Sequence, residues 1–187
     1  MNLGHRKVAF VGGRKHSIDS KHRLRGLKDG LARRGGKLAP EHVHSCESFE
    51  FDAGMVFAEQ FFSRPLEVTA IVVANDALAF GFMRFALHRG VKMPEELSIV
   101  GFDGLPEGVL VTPALTTAAQ PMQEMGRVAC QRLLESIGAS SRLEKIELPM
   151  QLIVRESTAP PPATSATLRA VDRITAAAAG PTGFHRS

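Results

Sequence analysis

Cysteine is scarce in this chain: Cys46 and Cys130 are the two in 187 residues, and neither sits in a Cys-x-x-Cys or Cys/His metal spacing. A disulfide framework is therefore excluded as the basis of the fold, and a reducing compartment is expected. Long apolar runs are missing too. No stretch reaches the ~20 residues that a membrane span requires, and the opening MNLGHRKVAF has no signal-peptide h-region. A cytoplasmic location and no membrane partner follow as expectations. Strong charge is also absent. The net charge of +4 is mildly basic, and the Lys and Arg are scattered with one cluster in the tail, so the pattern is not a nucleic-acid footprint. Internal repeats are absent.

The usual catalytic signatures fail as well. Gly12-Gly13 closes an apolar run, but neither G-x-G-x-x-G nor G-x-x-x-x-G-K-[ST] follows it, and G-x-S-x-G and H-E-x-x-H do not occur. A nucleotide-binding α/β enzyme would show a Gly-rich phosphate loop. No enzyme activity and no cofactor are expected.

What is present suits one globular domain with a real core, since 44% of residues are hydrophobic and 22% charged. KVAFVG (7–12), 68–74 and SIVGF (98–102) read as buried strands, and HVHSC (42–46) as a weak one. Between them lie helical patterns. Ser20–Arg34 carries Leu24, Leu27 and Leu31 and ends at Gly35-Gly36; a second helix, with Asp52 as its cap, is broken by Pro65; Asp76–Arg89 is followed by Gly90. Strands without period-2 alternation, alternating with helices, indicate a parallel sheet covered on both faces. Right-handed crossovers then bring every strand's carboxyl end to one edge, where open α/β sheets bind ligands. Beyond Asp103 comes a long connection with three prolines, then an amphipathic helix over 122–138, then one or two strands in LEKIELPMQLIVRES. From Thr158 the Pro/Ala/Ser/Thr bias predicts a disordered tail.

The stretch AIVVANDALAFG (70–81) poses the central question, because a β-branched run stops at an amide beside a carboxylate. Asp76 reads most simply as a helix N-cap. Asn75 falls at the ligand edge together with Asp103, with Ser17, Asp19 and Arg23 after the first strand, and with Phe49 after the weak one. Each has a plainer reading, as a turn former or a solvated helix residue. Taken together, an amide, a carboxylate and a guanidinium beside an aromatic ring suit a small polyhydroxylated ligand. No activated nucleophile or acid–base pair accompanies them. His42-x-His44 could present two imidazoles on one face, but no third ligand is placed, so they read as surface histidines and no metal is expected. Arg14, Lys15 and His16, between a strand end and a helix start, read as a solvated basic loop or, alternatively, as an anion site.

These blocks resemble the effector-binding domain of LacI/GalR-type bacterial transcriptional repressors, which shares its fold with periplasmic sugar-binding proteins. The resemblance runs through LGHRKVAFVGG, RLRGL (23–27), VVANDALAFGFMRFALHRGVKMPEELSIVGFDG (72–104), TPALTTAAQPMQEMGRVACQRLLESI (112–137) and LPMQLIVREST (148–158). It implies a three-layer, periplasmic-binding-protein-like α/β fold. Residues 1–118 would belong to the C-terminal subdomain, 119–147 to a fragment of the N-terminal one, 148–157 to a return strand and 158–187 to the tail. It assigns effector contacts to Arg23 of R-x-x-G, Phe49 of F-x-x-x-x-G, Asn75 of A-N-D and Asp103 of G-[FY]-D. Gln120, and more loosely Ser17 and Asp19, would contribute.

Two departures stand out. The family's helix-turn-helix, hinge helix and first half-lobe have no counterpart here, which reads as truncation at the N-terminus, and Gly104 follows Asp103 where many relatives carry an acid pair. The resemblance implies a sensor of a sugar or related metabolite, a homodimer in the full-length protein, and operator DNA reached only through the missing helix-turn-helix. The alternative is a transport protein of the same fold. An Asn75→Ala change is expected to leave folding intact and abolish effector response.

Overall fold

The computed structural model describes residues 3–137 and 145–163. Five parallel strands and one antiparallel strand form a single sheet in the order β2-β1-β3-β4-β5-β6. These are β1 (Val8–Gly12), β2 (Val43–Ser45), β3 (Ala70–Val73), β4 (Ser98–Asp103), β5 (Thr116–Ala119) and β6 (Gln151–Ile153). The helices are α1 (Ile18–Ala32), α2 (Phe51–Phe61), α3 (Asp76–His88) and α4 (Met122–Ser136).

Alternation along the strands explains why the sheet is covered twice. Ala9, Val11, Ile71 and Val73 enter a core with Phe57, Phe62, Leu78 and Phe82 of the α2–α3 face. Phe10 and Val72 point the other way, into a smaller core with Leu24, Leu27 and Leu31 of α1. Both faces of the strands are thus apolar, and α1, sheet and α2–α3 make three layers. The α2–α3 contact is close because Gly54 and Gly81 lie against the partner backbones of Leu78 and Phe51, where any side chain would collide.

Several local expectations need correction. α1 starts two residues before Ser20, because Ser17 caps it by accepting from the Ser20 N–H at 3.3 Å. Asp52 lies in the first turn of α2, and Glu50 occupies the cap position. The stretch after Asp103 is not all connection: Thr116–Ala119 forms β5, beside β4. The expected subdomain boundary at 118 therefore falls inside a strand. Thr158 is not the start of a free tail either. Ser157, fully buried, bonds both backbone groups of Ile99, and Ala159 exchanges hydrogen bonds with the Ser98 hydroxyl. The tail assignment beyond residue 163 lies outside the described residues.

α4 contributes no buried residue, and Met125, Leu133 and Ile137 of its expected apolar face are 44%, 63% and 70% exposed. Among the described residues no helix is long and apolar enough to cross a membrane.

Candidate ligand-binding site

The carboxyl ends of β1, β3 and β4 place most of the expected residues at one edge. Asp103 ends β4 with φ of 121°, the one positive φ of a non-glycine residue among those described. Such backbone costs roughly 1–3 kcal/mol and persists where surroundings over-determine it. Here they do. Gly104 continues the turn at φ of 81°, lying against Ala119 so closely that no side chain would fit. The N–H groups of Gly104 and Leu105 donate to Asp76 Oδ2 at 2.9 and 2.8 Å.

Asp76 is therefore not the cap of α3. It is wholly buried, and its other oxygen accepts from the Thr117 hydroxyl at 2.7 Å. Burial pushes its carboxyl above the usual carboxylate range, opposed by these hydrogen bonds. The cap is Asn75, whose Oδ1 accepts from the Leu78 N–H at 3.1 Å. Its Nδ2 donates to the Phe49 carbonyl at 2.9 Å, so each end of the amide has one structural partner and spare capacity for a second. Asn75 thus has a structural part as well as a place at the edge.

Around Asp103 the polar groups converge. Gln120 Nε2 donates to Asp103 Oδ1 at 2.6 Å, and the Arg23 guanidinium approaches the same oxygen at 3.5 Å. Arg23 also donates to the Ala74 carbonyl at 2.5 Å and lies over the Phe102 ring, 3.9 Å from its centroid. Among the described residues Asp103 Oδ2 has no hydrogen-bond donor, and the side chain stays 20% exposed. Burial raises the Asp103 pKa; Gln120 and Arg23 hold it down, while Asp76 and Asp19 push it up.

The structure thus joins Arg23, Asp103 and Gln120 directly, and links them through residues 74–75 to Asn75 and Phe49. Ser17 and Phe49 line a neighbouring cavity of about 600 Å³. Asp19 sits exposed in the first turn of α1, close enough for its charge to be felt at Asp103. Two contributors escaped sequence reasoning. Gly13 was read as a strand terminator, yet a Cβ there would come within 2.6 Å of three Phe49 ring atoms, so the ring rests on it. Phe102, the aromatic of the G-F-D block, carries the Arg23 stack, and its place beside Asp103 was the available signal.

The histidine pair lies elsewhere. His44 packs on Phe57 at 5.2 Å, and burial first, then His42 and Arg64, lower its pKa. No cluster of three potential metal-ligating side chains occurs among the described residues.

A family model for the periplasmic binding protein-like domain matches residues 1–158. The chain belongs to this family. The HTH-type transcriptional repressor CytR of Escherichia coli (strain K12) is 34% identical over 160 residues, covering 83% of this chain and 46% of CytR. The HTH-type transcriptional regulator DegA of Bacillus subtilis (strain 168) is 34% identical over 161 residues, 86% of this chain and 47% of DegA. The chain spans about half the length of these curated relatives. A LacI family transcriptional regulator from Mycobacterium smegmatis superposes with a TM-score of 0.78 at 34% identity, covering 86% of this chain and 60% of that one. Another, from Enterococcus faecalis V583 and solved with bound ribose, gives 0.74 at 32% identity, covering 85% and 57%. The periplasmic-binding-protein-like fold is therefore held in common with LacI-family repressors, which are regulators by name.

Proposed function

We propose that this chain is the effector-sensing unit of a LacI-type transcriptional regulator, and that it binds a sugar or related polyhydroxylated metabolite at the carboxyl edge of the sheet. The carrying observation is Asp103: one oxygen is fixed by Gln120 and Arg23, and the other takes no hydrogen bond among the described residues. A carboxylate held this way accepts from a ligand hydroxyl without reorganising, while Arg23 and Asn75 offer further donors and Phe49 an apolar face. The ribose-bound relative supports this ligand class.

In this reading the protein works in the cytoplasm as a homodimer, reaches operator DNA through a helix-turn-helix outside this chain, and catalyses no reaction. Ligand in the cleft shifts a population between two orientations of the subdomains, which requires different affinities for the two.

Titration calorimetry against neutral pentoses and hexoses, ribose included, tests the proposal. Asp103→Asn is the informative variant, because Asn tolerates positive φ while losing the charged acceptor. At least one sugar should bind the chain, and the variant should bind it about tenfold more weakly, the scale of one hydrogen bond to a charged group. Unchanged affinity in the variant would refute the site.

A further inference from the structure

The cavity beside the Asp103 cluster has an unusual wall. Arg14, Lys15 and His16 line it consecutively, all exposed, and among the described residues none has an ion-pair partner. Other arginines in the chain do find acids, such as Arg25 with Asp29 and Arg127 with Glu124. Two helices also begin here, since Ser17 and Glu50, the N-cap residues of α1 and α2, both line the cavity. Ser17 caps its own helix, but the Glu50 side chain makes no cap hydrogen bond, leaving the first-turn amides of α2 without a side-chain acceptor. Glu50 brings one negative charge against the cations of Arg14 and Lys15.

The cavity, about 600 Å³, is wide open to solvent and has room for a small charged group. Phe49 belongs to both places: it lines the cavity, and its carbonyl accepts from Asn75. A ligand whose hydroxyls meet Asp103 and Asn75 can therefore extend a substituent past Phe49 to the basic loop.

We infer that Arg14, Lys15 and His16 form an anion subsite, and that the effector is a negatively charged sugar derivative, a phosphate ester or a sugar acid. The inference rests on the effector reading above and narrows its ligand class. The anion sits among cations and helix amino ends, where backbone N–H groups and dipoles add to side-chain charge.

Calorimetry on matched probes tests it: ribose with ribose 5-phosphate, and glucose with glucose 6-phosphate and glucuronate. In at least one series the charged member should bind about tenfold more tightly than its parent, as one charge-assisted hydrogen bond would give, and the advantage should shrink at high salt. Preference for the ester or for glucuronate separates phosphate from carboxylate. The double variant Arg14→Gln/Lys15→Gln should abolish the advantage and leave the neutral parent's affinity unchanged. Arg33→Gln/Arg34→Gln, the same charge change at the far end of α1, should preserve it. Neutral parents binding as tightly in every series, or an advantage that survives in the Arg14/Lys15 variant, would overturn the subsite alone. Binding of no sugar, neutral or charged, would overturn the effector reading with it.

Discussion

Asp76→Ala separates two accounts of one carboxylate. A helix cap replaced by Ala costs typically about 1 kcal/mol. In the structure Asp76 instead serves three donors, the N–H groups of Gly104 and Leu105 and the hydroxyl of Thr117, from a position with no exposure. A buried donor left without a partner costs about 1–3 kcal/mol. Leu105 would lose its acceptor outright. Gly104 would keep a weaker contact to Thr117 Oγ1 at 3.3 Å, and the Thr117 hydroxyl can rotate. One full loss and two partly compensated ones sum to about 2–4 kcal/mol on the scale of unsatisfied donors, a large share of the 5–15 kcal/mol typical of a domain. Asp76→Asn keeps an acceptor oxygen for the two backbone donors and should cost only about 1 kcal/mol. The chain has no Trp and no Tyr, so urea unfolding is best followed by far-ultraviolet circular dichroism. A loss of 1 kcal/mol or less in Asp76→Ala would refute the buried-network account and restore the cap.

Asn75→Ala should lower stability by about 1 kcal/mol through the lost cap and also weaken effector binding; Asn75→Asp should restore stability but not the bond to Phe49, as parallel urea and calorimetric titrations would reveal. The Cys46 thiol is half-buried and burial pushes its pKa up to about 11, whereas Cys130 is exposed. Alkylation near neutral pH followed by peptide mass spectrometry should mark Cys130 well before Cys46, and equal labelling would contradict the burial. The His44 pKa is depressed, so the folded chain binds fewer protons than the unfolded one just below the ordinary histidine value. Its contribution to stability is present above that value and lost as pH falls; a proton NMR titration of His44 should show a midpoint below that of a free imidazole.

Sheet and helices were legible because apolar runs ending in glycines or polar pairs report burial directly. The parts that were not legible depend on partners distant in sequence. β5 escaped because TTAA is polar and flanked by prolines. Thr116 and Thr117 are nevertheless buried, since their hydroxyls bond within the fold: Thr117 to Asp76, Thr116 to the Arg155 N–H and to Thr158. The reversal of roles between Asn75 and Asp76 has the same origin. Either residue type can cap a helix, and the choice is made by a turn 28 residues away that needs a carboxylate. Arg23, Asp103 and Gln120 were each named from motifs, but their shared oxygen was not readable, because β5 brings Gln120 beside Asp103 only once the strand exists.

Gln120 is tied to Asp103 at two points, through its side-chain amide and through its backbone N–H, which donates to the Asp103 carbonyl at 3.1 Å. Pro121 follows, and α4 begins at Met122. The 15 residues of α4 make a rod about 22 Å long at 1.5 Å per residue. A tilt of about 10° at its base would carry the far end about 4 Å. The two bonds that tie Gln120 to Asp103 at the sheet edge thus also fix the point from which α4 leaves the sheet.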